Sequence, residues 1–157
     1  HLFNIQDVRR KHMYKNILYP VDIFDESSWE NSLPIVKEYC STFNAKLHVM
    51  TAIPDYGMAI VSQYFPKGSI DTLVEKTKQA LHAFVEKEIQ NKNIEIGNVI
   101  ISKGGAVYQS IIDSAEKIEA DLIMISAHRP DLKDYLLGPN SAKVVRHSKI
   151  SVLVMRY

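Results

Sequence analysis

Residues 121–145 read Asp121-Leu122-Ile123-Met124-Ile125-Ser126-Ala127-His128-Arg129-Pro130-Asp131-Leu132-Lys133-Asp134-Tyr135-Leu136-Leu137-Gly138-Pro139-Asn140-Ser141-Ala142-Lys143-Val144-Val145. The run 122–125 is apolar at consecutive positions, as a strand covered on both faces of a parallel sheet must be. A polar, proline-bearing loop follows, and the small residues 138–141 then open a helix. In α/β proteins this strand–loop–helix order commonly holds a phosphate, because unpaired backbone N–H groups and the helix dipole face the anion.

Outward from this stretch, strands and helices alternate along the whole chain, the pattern of a doubly wound parallel sheet. Residues 15–21 form an expected first strand ending at Asp22, and Asp25 to Ser28 supply helix-start residues. Trp29, Leu33, Val36, Cys40 and Phe43 make one apolar helical stripe, with Pro34 early in it. Residues 46–53 read as the second strand, and 55–68 as an irregular loop or lid. Ser69 caps a long second helix with inward positions Ile70, Leu73, Thr77, Leu81, Phe84 and Ile89. The third strand is expected at 94–101, a Gly104–Gly105 turn next, and a third helix over 106–118 with Val107, Ile111, Ala115 and Ile118 inward. The final helix is expected over 141–147 and the last strand over 150–155. Right-handed crossovers leave few topologies. In strand order 3-2-1-4-5 the winding reverses between the first and fourth strands, and ligands bind at such reversals, beyond the carboxyl ends of the strands.

At 157 residues the chain is long enough for one domain with a substantial core, and its 46% hydrophobic and 24% charged content is ordinary for a globular protein. Residues 1–12 read as an expression-tag remnant outside the fold, leaving 13–157 as a single α/β domain. Arg9, Arg10 and Lys11 against Asp7 supply +2 of the formal +1, so the remainder carries −1. No basic stripe supports a nucleic-acid partner. One cysteine, Cys40, rules out an intrachain disulfide, fits a reducing, cytoplasmic setting, and reads as core filler. No apolar run approaches the roughly 20 residues of a membrane helix.

Candidate binding residues follow from the expected reversal. Pro20, Val21 and Asp22 end the first strand, and Ile125 and Ser126 end the fourth. Gly104 and Gly105 serve either close backbone approach to a ligand or a tight turn. Arg129 would offer a charge-assisted fork to phosphate or lie solvated, and His128 would touch ligand or be a hydrogen-bonded structural residue. Gly138, Asn140 and Ser141 form the phosphate turn; Pro139 has no N–H to donate. Asp22 either sits at a cation or caps its own turn.

The ordered set Ile17-Leu-Tyr-Pro-Val-Asp22, Leu47-His-Val49, Ala120-Asp-Leu-Ile-Met-Ile-Ser126, His128-Arg-Pro, Leu136-Leu-Gly138 and Val152-Leu-Val154 resembles the universal stress protein family, in its nucleotide-binding branch, over nearly all of 13–157. The resemblance implies an adenine nucleotide, ATP or AMP, between the first and fourth strands, and a homodimer paired through the C-terminal strand. It also implies that Asp22 lies beside ribose and phosphates, with magnesium as the ion it helps hold, and that the Val49 backbone meets the adenine edge. The chain departs from the family phosphate pattern: Ser126 and Arg129 replace two glycines, the spacing to Gly138 is one residue shorter, and Pro139 follows it. His128-Arg-Pro with Leu-Leu-Gly138 resembles a sub-branch that keeps binding with altered glycines.

Other chemistry lacks residues. His48, His82, His128 and His147 have no metal-ligand spacing, and there is neither a nucleophile elbow nor a Walker Gly-Lys-Ser/Thr motif. The expected role is a nucleotide-binding stress regulator or sensor rather than a fast enzyme. A nucleotidyl-transferring or slow ATP-hydrolysing enzyme and a nucleotide-free dimeric interaction module are the alternatives.

Overall fold

The computed structural model describes residues 14–53, 55, 69–90, 93–127 and 138–156. Its five strands are β1 (Asn16–Pro20), β2 (Lys46–Ile53), β3 (Glu95–Lys103), β4 (Leu122–Ser126) and β5 (Ser151–Met155). The helices are α1 (Ser32–Phe43), α2 (Ser69–Phe84), α3 (Val107–Lys117) and α4 (Gly138–His147). All strand pairs are parallel, in the order β3-β2-β1-β4-β5. This is the expected doubly wound sheet.

Strand alternation divides the core in two. Ile17, Tyr19, Val21, Leu122 and Met124 pack with Leu33, Val36 and Cys40 of α1 and Leu81 and Phe84 of α2. Leu18, Ile123 and Ile125 pack on the opposite face with Val107, Ile111 and Ala115 of α3 and Val144 of α4. Cys40 is fully buried in the first of these clusters, and desolvation pushes its thiol up to about 12, so it stays protonated and unreactive.

Three boundaries differ from the sequence reading. Asp25 does not start α1; its carboxylate accepts the Ser27 N–H at 3.1 Å and caps a separate 3-10 turn, Glu26–Ser28. Helix α1 begins later, at Ser32, so Pro34 falls in its first turn, where no intrahelical N–H is required. The Tyr19 and Ser32 hydroxyls, 2.6 Å apart, tie that turn to β1. Helix α2 runs into a wide π turn, Val85–Ile89, which buries Val85 and Ile89 together; Lys37 Nζ of α1 donates to the Glu88 carbonyl there at 2.9 Å. Helix α4 starts at Gly138, three residues before the expected Ser141, because a proline in a first turn costs the helix nothing.

The N-terminal end of the sheet is closed by Asp121. Its carboxylate accepts the N–H groups of Lys15 and Asn16, each at 2.9 Å. This clamp holds the start of β1 against the start of β4.

Candidate functional site

Strands β1 and β4 are adjacent, but their regular pairing is short: Ile17 with Leu122 and Leu18 with Ile123. Beyond that point β1 stays with β2 as far as Pro20 opposite Met50, and the Val21 N–H donates to the Met50 carbonyl at 2.8 Å. Strand β4 stays with β5 as far as Ser126 opposite Met155, and the Ala127 N–H then donates to the Met155 carbonyl at 2.8 Å. The ladder thus parts at the winding reversal, toward the carboxyl ends. Pro20, which cannot donate, stands at the end of β1 where the strands have separated.

Asp22 lies just past this end and is half-buried. Its Oδ1 accepts the Phe24 N–H at 3.3 Å, and its carbonyl accepts the Asp25 N–H at 3.1 Å. The turn-capping reading is therefore observed. Phe24 beside it is 68% exposed. Ile125 and Ser126 are fully buried at the end of β4.

The first turn of α4 carries Pro139, Asn140 and Ser141, with Ser141 buried. The Asn140 side chain has a partner that the sequence reading missed: its Oδ1 accepts the Tyr108 N–H at 3.1 Å. Tyr108 is in the first turn of α3, where Ala106 provides no side-chain cap. Asn140 takes over that work across 32 residues of chain and holds the two helix starts together. Outside this contact, Lys143 Nζ sits 5.4 Å over the Tyr108 ring, and His147 stacks on the same ring at 5.5 Å.

Gly104 and Gly105 have a local reason to be glycine. Both adopt positive φ, +79° and +72°, at the sharp turn from β3 into α3, and a Cβ on Gly105 would meet open space. The Gly104 N–H donates to the Ile53 carbonyl at 3.0 Å. The turn caps edge strand β3, two strands from β1 and so roughly 10 Å across the sheet. Val49 is fully buried, level with Tyr19 on one side and Val99 on the other, and its side chain is committed to the α1–α2 core. His128, Arg129 and most of the 55–68 loop lie outside the described residues.

Pro20, Val21 and Asp22 thus lie at the carboxyl end of β1, and Ile125 and Ser126 at the carboxyl end of the adjacent β4. Gly104 and Gly105 lie toward the far edge. Among the described residues no group of three or more His, Cys, Asp or Glu side chains is placed to hold a metal, and no helix is long and apolar enough to cross a membrane.

Comparison with known proteins gives a consistent relationship. The profile of the universal stress protein family matches residues 13–156. Universal stress protein G of Salmonella typhimurium is 24% identical over 145 residues, covering 92% of this chain and 100% of that one. Universal stress protein MJ0577 of Methanocaldococcus jannaschii is 28% identical over 160 residues, covering 92% of this chain and 96% of that one. The solved structure of MJ0577 superposes with a TM-score of 0.72 at 25% identity, over 92% of this chain and 97% of that chain. A universal stress protein solved in complex with cAMP has the same fold, with a TM-score of 0.51 at 23% identity over 91% of this chain and 97% of that one. A profile match spanning nearly all of the sequence, together with the shared 3-2-1-4-5 sheet, places this chain in the universal stress protein family.

Proposed function

We propose that this chain binds an adenine nucleotide, ATP or AMP, in the crevice between β1 and β4 and acts as a stress-response regulator or sensor rather than as a fast enzyme. The observation that carries this reading is the early parting of β1 from β4 at the winding reversal, with Asp22 at its mouth. The cAMP bound by another member of the fold family supports a nucleotide as the ligand class.

The first turn of α4 meets the phosphates through the N–H groups of Asn140 and Ser141 and the Ser141 hydroxyl. Pro139 supplies no N–H there, so the cradle starts one residue later than in the family pattern. Arg129 and His128 add positive and hydrogen-bonding groups from the β4–α4 loop, and the Val49 main chain meets the base. Asp22 fits magnesium held jointly with the nucleotide, because magnesium commonly takes one carboxylate plus substrate phosphates and keeps its waters. A bound ion would neutralise the repulsion between Asp22 and the phosphates. No residue in this set is placed as a general base, and nucleotide binding shifts a conformational population instead of driving turnover.

Titration calorimetry with ATP, in magnesium and in EDTA, tests the reading. The unmodified protein should bind ATP at least about tenfold more weakly in EDTA, since an uncompensated carboxylate beside phosphate costs more than about 1.4 kcal/mol. Asp22→Asn should remove most of that difference. No binding in either buffer removes the nucleotide reading and leaves the interaction-module alternative.

The dimer belongs to the same proposal. Strand β5 ends the sheet, and Val152, Leu153 and Val154 along it are only half-buried. Pairing with a twin strand would cover this edge, which otherwise invites uncontrolled association. Sedimentation equilibrium should return twice the chain mass; a monomer at tens of micromolar concentration removes that interface.

A further inference from the structure

One buried titratable side chain is left unused by the binding reading. His48, in the middle of β2, is 4% exposed. It lies where the β2–β3 register slips: Leu47 pairs with Ile96, but Val49 pairs with Val99. Strand β3 therefore carries one extra residue, a bulge at Gly97 and Asn98. A bulge leaves a backbone N–H without its ladder partner, and here the Asn98 N–H donates to His48 Nδ1 at 2.8 Å. Gly97 makes room for this, since a Cβ there would overlap the imidazole.

The remaining contacts settle where the protons are. With Nδ1 accepting from a peptide N–H, the ring proton is on Nε2 and is donated to Asn16 Oδ1. Asn16 Nδ2 in turn donates to the carbonyls of Ile118 and Glu119 at 2.7 and 3.0 Å, just past the end of α3. Every donor meets an acceptor, and only a neutral imidazole completes the chain.

We propose that His48 is a proton-operated latch on the β2–β3 seam: a second proton, taken up at Nδ1, ejects the Asn98 N–H and releases the bulge. Two donors would then face each other across the seam, and displacement of the ring would be passed through Asn16 to the end of α3. The charged groups on the surrounding elements leave the neutral ring favoured. Burial is the largest influence and lowers its proton affinity below the ordinary histidine value of 6.5; Lys46 on the same strand lowers it further, and Glu95 on β3 opposes them. Lys46 and Glu95 face each other at 3.3 Å. Just before β1, Lys15 Nζ is directed to the Phe43 carbonyl, and Asp121, just before β4, is occupied by the Lys15 and Asn16 amides. From α3, Lys117 lines the groove that also contains Asn98.

Because the folded chain takes up this proton less readily than the unfolded chain does, the contribution is complete above about pH 6.5 and is lost as pH falls through the lowered folded value. The latch thus couples acidification to the strand that carries Val49, whatever ligand the crevice holds.

NMR on the full chain tests this. The His48 ring signal and the Asn98 amide should titrate together below pH 6.5. The protection factor of Asn98, which removes the intrinsic pH dependence of exchange, should fall at least about tenfold across that step. His48→Gln should abolish the Asn98 step. A His48 ring that stays neutral until the chain unfolds, an Asn98 amide unchanged while the ring titrates, or a step that persists in His48→Gln would each overturn the proposal. The titration of the unmodified chain decides the matter even if the variant does not fold.

Discussion

Gly97→Val is expected to lower the unfolding free energy by about 2–6 kcal/mol. Overpacking against the buried His48 ring costs about 1–3 kcal/mol, and breaking its part-buried hydrogen bond with the Asn98 N–H costs about 1–3 kcal/mol more. Both penalties arise here from one event. The new side chain would occupy the space of the His48 ring, and the ring cannot leave without abandoning the Asn98 N–H and Asn16 Oδ1. A chain of this size has a net stability of roughly 5–15 kcal/mol, so the midpoint of thermal unfolding should drop on the order of 10 °C. Denaturant and thermal unfolding measure it. A loss below about 1 kcal/mol would show that β3 irons out its bulge and that the ring is not held as described.

Gly138→Val should have the opposite profile, with binding lost and folding intact. Helix α4 starts at Gly138, and valine is a better helix residue than glycine, so the midpoint of unfolding should be unchanged or slightly raised. In a helix each Cβ tilts toward the N-terminus. A branched side chain at position 138 is expected to crowd the turn where the proposed nucleotide phosphates meet the N–H groups of Asn140 and Ser141. ATP affinity should fall at least about a hundredfold, equivalent to nearly 3 kcal/mol. Calorimetry beside a thermal melt separates the two effects. Unchanged affinity would remove the α4 turn from the nucleotide site while leaving Asp22 and the β1–β4 crevice to be judged by their own magnesium dependence.

Much of this molecule was legible in the sequence because its signals are local. The apolar run 122–125 and the β-branched run near the C-terminus mark buried strands through composition alone. The stripe from Leu33 to Cys40 identifies the inner face of α1, and the buried state of Cys40 follows from it. The candidate residues at the carboxyl ends of β1 and β4 follow from topology, since a doubly wound sheet has a single reversal. Boundaries were less legible where two local signals compete. Asp25 and Ser28 are good cap residues in either a 3-10 turn or a helix, and only packing of Tyr19 against Ser32 decides that α1 starts later.

The sequence by itself determined the element order and the division of side chains between core and surface. Periodicity encodes these, because burial repeats every two residues in a strand and every 3.6 in a helix. Only the tertiary structure decided the one-residue bulge at Gly97 and Asn98, the conversion of His48 into its acceptor, and the reach of Asn140 to Tyr108. An isolated glycine in a strand pattern hints at a bulge, but its position depends on the register of the neighbouring strand. The two hydrogen bonds join residues 50 and 32 positions apart in the chain. Such pairings depend on how whole elements pack, and no local pattern carries them.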